Sequence, residues 1–357
     1  MQNARSFRYG LREGFQTLLR RLSRLSGMCL SKPASVGICL TTRCNCRCIH
    51  CDIWKISTHN ELDTDRWKAL IDDLAGWLGG IRLYITGGEP LLRRDVQDIV
   101  RHASDRMFLV GLVTNGALLN APMAEGLLDA GLFSLDVSLD SVTPGIHDRV
   151  RGVDGTWAKA VAGIDIIRSL GAGRRASIAC VLTSANIGEV ERLVEWVAER
   201  DLRGISFQVL EENFEGPQRP AWHLQHPLWL RDPAAIEKVI GRLLALQSQG
   251  LPILNHPGQL RLIPRYYQQP DRIEKPPCTV GWMNFGIGPT GDVRFCHRLQ
   301  SIGAVTDQTP REVWRSPRAA ATRRQAQRCN LGCKILNCNF PPGIATRLKR
   351  LITLLRG

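Results

Sequence analysis

No run of about eighteen apolar residues occurs in the 357-residue sequence, so no transmembrane helix is expected. Residues 1–30 also lack the apolar block of a secretory signal. These absences point to the cytoplasm, a reducing compartment, where 12 cysteines read as metal ligands rather than disulfides. Acidic residues are scarce as well: 33 Asp and Glu stand against 47 Lys and Arg, a net charge of +14. Such a balance raises nucleic-acid binding, but the middle of the chain has no basic stripe interleaved with aromatics. The excess sits at the ends. Residues 1–30 hold six Arg and one Glu, and residues 343–357 hold four Lys or Arg and no acid. No nucleic-acid partner is expected, and no internal repeat is apparent.

What is present is alternation. Apolar strand candidates at Val36–Leu40, Arg82–Ile85, Phe108–Val113, Phe133–Leu139, Ser177–Leu182 and Ile205–Leu210 are separated by helical patterns. The helical patterns lie near Thr64–Leu78, Asp95–Ser104, Ala121–Asp129, Trp157–Leu170 and Ile187–Glu199. Strand–helix alternation implies parallel strands with crossover helices. Six units fall short of the eight of a closed barrel, so the expected fold is α/β, a partial (β/α)6 TIM-like barrel, with a flat doubly wound sheet as the alternative. The expected division is a basic amphipathic N-terminal helix (1–35), the barrel (36–235), a bridging helix and linker (236–277), a small β-hairpin-plus-helix cysteine-rich domain (278–340) and a basic amphipathic tail (341–357). Each terminal segment carries an apolar stripe: Phe7, Leu11, Phe15, Leu18, Leu22 and Leu25, and Ile344, Leu348, Leu351, Ile352 and Leu355. Such stripes are expected to dock on the parent domain, with peripheral membrane contact as the second reading.

Chemistry in either α/β architecture belongs at the carboxyl ends of the strands. There the sequence places Cys44, Cys46, Cys48 and Cys51 after strand 1, "TGGEP" (Thr86–Pro90) after strand 2 and "TNG" (Thr114–Gly116) after strand 3. "SLDS" (Ser138–Ser141) closes strand 4, and "EEN" (Glu211–Asn213) follows strand 6. Downstream, Cys278, Cys296, Cys329, Cys333 and Cys338 form a second thiol-rich set. By residue chemistry alone, structural zinc and an iron–sulfur cluster both suit such thiols. A zinc-bound scaffold is the non-enzymatic reading. Thr114 and Asn115 read as turn and cap residues, and Cys180 as a buried structural thiol.

The C-x3-C-x2-C spacing of Cys44, Cys48 and Cys51, with GGEP after strand 2, a serine closing strand 4 and "HDRVRG" (His147–Gly152), resembles the radical S-adenosylmethionine (SAM) enzymes. The C-x12-G-x4-C pattern from Cys278 through Gly291 to Cys296 resembles the SPASM and twitch extensions that hold auxiliary clusters. The resemblance covers roughly residues 36–340 and implies the following. Cys44, Cys48 and Cys51 bind a 4Fe–4S cluster with an open iron for SAM, and Cys46 is a passenger. Reductive SAM cleavage yields a 5′-deoxyadenosyl radical that abstracts a substrate hydrogen. Gly87, Gly88, Glu89, Ser138, Asp140 and Arg151 become SAM-site candidates, and His50 replaces the family's usual aromatic beside the adenine. Four of Cys278, Cys296, Cys329, Cys333 and Cys338 would hold one auxiliary 4Fe–4S cluster. The electron donor would be of flavodoxin or ferredoxin type.

A polar small molecule, natural-product or sugar-like, is the expected substrate, undergoing net oxidation or rearrangement. The alternatives are modification of a peptide or protein side chain, or of a lipid or lipid-linked substrate at the membrane surface. The 43 residues before Cys44 are read as too few for the leader-binding domain of many peptide-modifying relatives, which weighs against a peptide. Cys180 is a weak catalytic candidate, as a hydrogen-atom donor in an epimerase.

Overall fold

The computed structural model describes residues 2–212, 221–270, 278–329, 333 and 340, with side chains from residue 14 onward. Six strands run in chain order: β1 (Ser35–Cys39), β2 (Arg82–Thr86), β3 (Leu109–Thr114), β4 (Ser134–Ser138), β5 (Ala176–Leu182) and β6 (Gly204–Val209). Each pairs in parallel with the next. A doubly wound sheet reverses its strand order at a switch point. This order never reverses among β1–β6, so the (β/α)6 expectation holds and the doubly wound alternative does not.

The helices are α1 (Gln2–Ser26), α2 (Thr64–Leu78), α3 (Val96–Asp105), α4 (Ala121–Asp129), α5 (Pro144–Arg151), α6 (Thr156–Ser169) and α7 (Val190–Glu199). They continue with α8 (Trp222–Gln225), α9 (Pro233–Ser248), α10 (Pro257–Leu260), α11 (Ile263–Gln268), α12 (Pro310–Arg315) and α13 (Pro317–Arg328). α2 shows why the local sequence dictates its helix. The Asp63 side chain caps the free Arg66 amide, and Gly79 ends the helix at φ 64°. Trp67, Leu70, Ile71, Leu74 and Leu78 fall on one face and are buried against the sheet. Each such side chain contributes roughly 1.5–3 kcal/mol.

Alternation along the strands separates two environments. In β1 and β2, Val36, Ile38, Leu83 and Ile85 are fully buried in the core. Ser35, Gly37, Cys39, Arg82, Tyr84 and Thr86 are half-buried on the opposite, lumen face. The same parity in β5 puts Ala179 and Val181 toward the lumen and Cys180 toward the helices, where it is fully buried.

The C-terminal hairpin is not a separate sheet. β7 (Asn284–Ile287) pairs in parallel with β1, and β8 (Asp292–Arg294) and β9 (Gly303–Ala304) extend it antiparallel, giving one nine-stranded sheet. The joint is sealed by Trp314, whose ring lies near Trp77, Phe285 and Phe295. The Arg323 guanidinium lies 4.5 Å from the Trp314 ring centroid and donates to the carbonyls of Gly281 and Trp314.

Candidate functional site

The cysteine loop leaves the carboxyl end of β1 and is held at both ends by backbone. Its stem accepts from the GGE turn: Gly88 N donates to Thr41 O and Glu89 N to Arg43 O, both at 2.8 Å. Its far side pairs with the end of α5, where Arg47 N donates to Arg151 O (2.9 Å) and Ile49 N to Val150 O (3.0 Å). The glycines therefore have a job not foreseen in sequence. A Cβ on Gly87 would stand 2.4 Å from Thr41 O, and one on Gly88 2.3 Å from Arg43 O. The missing side chains make room for the cysteine loop itself. Gly88→Ala should cost roughly 1–3 kcal/mol of stability and displace this loop. Thermal unfolding and iron content of the purified variant check this; unchanged values for both would refute the steric role.

Glu89, one of the SAM-site candidates, is fully buried, and its carboxylate already accepts three bonds. Thr114 Oγ1 (2.8 Å) and Leu91 N (3.0 Å) donate to Oε1, and Asn115 N (2.7 Å) donates to Oε2. Burial pushes its pKa up despite these donors. Glu89 thus ties the β2 and β3 loops together, and Thr114 and Asn115 are the turn residues their types imply. Asn115 also reaches the first loop, donating to Asn45 Oδ1 at 2.7 Å.

Asp140 and Arg151 are committed to each other. Arg151 Nε lies 2.8 Å from Asp140 Oδ2, and Asp140 Oδ1 accepts from Val181 N. Arg151 also sets Nη1 3.9 Å from Cys48 Sγ. Ser138, on the lumen face of β4, is half-buried. His50 Nδ1 is buried without a hydrogen-bond partner among the described residues, and burial lowers the ring's pKa to about 4. The imidazole is therefore neutral and can donate or accept toward a ligand.

Cys46 is not remote from the other thiols: its side chain hydrogen-bonds to both Cys44 and Cys48. Its thiol bond, followed by the charge of Arg151, brings Cys48 down to about 6, against burial. Burial lifts Cys51 to about 11. Cys180 Sγ sits 3.5 Å from Asn186 Nδ2 and behind the strand, so it is a structural thiol rather than a lumen donor.

The second set of thiols lies within mutual electrostatic reach, near the end of β6. Burial pushes Cys296 up to about 11, and the charges of Cys278, Glu211 and Cys329 add to the rise. Burial likewise raises Cys333, with Glu211, Cys296, Cys329 and Cys278 acting in the same direction. Cys278, Cys296, Cys329 and Cys333 therefore lie near enough to one another and to Glu211 to influence each other's charge; Cys338 lies outside the described residues. Glu211, just past β6, acts on the same thiols and is pushed up to about 7 by burial, with Oε1 lacking a hydrogen-bond partner among the described residues. Arg298 secures the neighbouring segment through Glu212, at 3.1 Å from Oε2 and 2.9 Å from the carbonyl.

The bridging region supplies a wall absent from the sequence reading. Trp229 packs at a tilt against Tyr267 (4.7 Å) and edge to face with Trp222 (5.2 Å), while Tyr266 donates to Leu210 O just past β6. Only the aromatic content of residues 222–267 could have hinted at it.

Among the described residues no three Cys, His, Asp or Glu side chains are drawn tightly enough to hold a single metal ion. The donor sets fit iron–sulfur clusters by chemistry: two separate groups of soft thiols, one of them beside the unpartnered His50 nitrogen. Cys44, Cys48 and Cys51 would hold one cluster and Cys278, Cys296, Cys329 and Cys333 the other. Ser138, half-buried, and His50, with its unpartnered Nδ1, would be available to SAM.

Comparison with known proteins agrees. Residues 38–197 match the Radical SAM superfamily, and residues 278–339 match the SPASM iron-sulfur cluster-binding domain. An AdoMet-dependent heme synthase of Methanosarcina barkeri is 28% identical over 85% of this chain and 88% of its own. A PqqA peptide cyclase of Bradyrhizobium diazoefficiens is 26% identical over 86% and 79%. Among solved structures, Streptococcus suis SuiB bound to S-adenosylmethionine has a TM-score of 0.64 at 15% identity, covering 82% of this chain and 68% of that one. Native anSMEcpe with bound AdoMet and a peptide has 0.63 at 18%, covering 86% of each. These structural likenesses show a shared fold. With both domain matches falling on the two thiol sets, the chain belongs to the radical SAM superfamily and carries a C-terminal SPASM domain, with SAM, a 4Fe–4S cluster and an auxiliary 4Fe–4S cluster as its cofactors.

Proposed function

We propose that this enzyme is an oxidoreductase acting on a peptide or protein side chain. The observation that carries the reading is that the second thiol set lies near the β6 exit. Its thiols feel the charge of Glu211 at the carboxyl end of β6, the end from which the first cysteine loop leaves β1. A substrate in the mouth would lie between the two. When bound, SAM and the first cluster supply hydrogen-atom abstraction, and the second cluster supplies an electron acceptor.

The chain's own residues supply the container. Trp229, Tyr266 and Tyr267 are buried and brace the β6 exit from behind, with half-buried Trp222 packed on Trp229. Arg298 and Glu212 hold the β6 exit in place, leaving the Glu211 carboxyl toward the thiols. The peptide substrate of the PqqA cyclases favours a peptide over the polar small molecule expected from sequence. Gln208, Glu211, Glu212 and Asn213, at and after the end of strand 6, are the polar residues that would suit such a molecule. Of these, Glu212 is buried and held by Arg298, while Glu211 is half-buried with His297 Nε2 3.7 Å from its carboxylate.

The test is anaerobic incubation of the reconstituted enzyme with SAM, a reductant and short peptides encoded beside its gene. The expected result is 5′-deoxyadenosine formed in step with a peptide that has lost a hydrogen pair, seen by mass spectrometry. Turnover with a polyol or amino sugar but with no peptide would overturn the peptide reading.

A further inference from the structure

The N-terminal helix docks the wrong way round for an ordinary amphipathic helix. Its inward row is Gln16, Arg20 and Ser23, at 9%, 4% and 0% exposure. Gln16 Oε1 accepts from Lys32 N (2.9 Å), and Arg20 Nε donates to Lys32 O (3.2 Å). Ser23 Oγ accepts from Leu30 N (3.0 Å) and Ser31 N (3.2 Å). These polar contacts clip α1 to the segment that leads into β1. The apolar row points away. Phe15, Leu18, Leu22 and Leu25 are 63%, 55%, 44% and 86% exposed, and Met28 and Leu30 follow at 58% and 45%. At 3.6 residues per turn the two rows lie about 150° apart.

The exposure is concentrated. Of the ten exposed large apolar side chains among the described residues, six fall within residues 15–30. Single exposed apolar residues are ordinary, but a contiguous row at helical spacing marks a contact surface. The sequence continues the row upstream at Leu11 and Phe7.

We propose that α1 is a peripheral membrane anchor that lies in the interface of an anionic bilayer. Charge selects this occupant. Residues 1–30 hold six Arg and one Glu, and Arg21 and Arg24 belong to the same turns as the exposed leucines. A second copy laid on the row would bring two arginine-rich helices together, whereas anionic lipid headgroups supply the opposite charge. No helix among the described residues is long and apolar enough to cross a membrane, so this one lies on it. Residues 27–34 connect α1 to the amino end of β1, while the cysteine loop leaves the carboxyl end. Anchoring is therefore separate from SAM cleavage.

The test uses the full-length holoenzyme and two kinds of vesicle, phosphatidylcholine alone and phosphatidylcholine mixed with phosphatidylglycerol. Wild type should sediment with the anionic vesicles and be released by high salt. Leu18→Gln/Leu22→Gln/Leu25→Gln should bind at least about tenfold more weakly, with iron content and SAM cleavage unchanged. A second variant, Arg21→Glu/Arg24→Glu, should lose the preference for anionic vesicles. The anchor is overturned if wild type shows no such preference, if both variants bind as wild type does, or if wild type is instead a dimer that the leucine changes dissociate without any vesicle binding.

Discussion

Replacing Cys44, Cys48 and Cys51 together by alanine is expected to abolish formation of 5′-deoxyadenosine and to remove one of two iron–sulfur clusters. Two four-iron clusters give about eight irons per chain, and the variant should hold about four. The remaining iron would belong to Cys278, Cys296, Cys329 and Cys333, which lie near the β6 exit. The pairing of β7 with β1 does not run through the altered thiols, so the variant should fold. The complementary change, alanine at Cys278 and Cys296, should also leave about four irons while retaining SAM cleavage uncoupled from product. Iron and sulfide analysis after anaerobic purification, with chromatographic detection of 5′-deoxyadenosine, decides the matter. Continued SAM cleavage in the triple variant would sink the ligand assignment, and stoichiometric zinc in the wild type would sink both cluster assignments. Cys46 sharpens the test. Because its thiol bonds to both Cys44 and Cys48, Cys46→Ala must be compared directly, and full iron retention is expected if it is not a ligand.

Much of this arrangement was legible beforehand because its determinants are local. α2 and α4 begin and end where sequence placed them, since Asp63 and Asn120 cap their first turns and Gly79 stops α2. All six parallel strands lie within a residue or so of the expected bounds, because buried strands read as short apolar runs. The thiol sets were legible through spacing. The features that escaped are non-local. Nothing in the hairpin sequence near residue 284 announces that its first strand pairs with β1, about 250 residues earlier, because parallel register depends on long-range contact. Apolar periodicity located α1 but assigned its wrong face to the protein. The stripe reveals which residues are apolar, and only the fold shows that Ser23 and Arg20 find partners in the backbone of residues 30–32. The steric role of the GGEP glycines, as room for Thr41–Arg43, also escaped, because it depends on a loop from another strand.

Arg151→Met is expected to destabilise the fold by roughly 3–5 kcal/mol, because it strands a fully buried carboxylate. Burial alone would push Asp140 up. The guanidinium of Arg151, with His50, His147 and the Val181 amide, reverses this and holds the carboxyl below its ordinary range. A carboxyl depressed in the folded state stabilises fully above its unfolded pKa of about 3.9 and loses that contribution as pH falls through the lower folded value. Wild type should therefore keep this contribution at neutral pH and lose it only in strong acid. Adding Asp140→Asn to Arg151→Met removes the stranded charge while keeping an acceptor for the Val181 amide, so the double variant should regain much of the loss. Chemical denaturation of both variants measures this, and a loss below about 1 kcal/mol in Arg151→Met would refute the buried-pair argument. The same pair separates two roles for Arg151. If it only neutralises Asp140 and steadies Cys48, the double variant should recover SAM cleavage together with stability. If Arg151 also meets the SAM carboxylate, stability returns while SAM affinity stays low, because methionine offers no charge in its place.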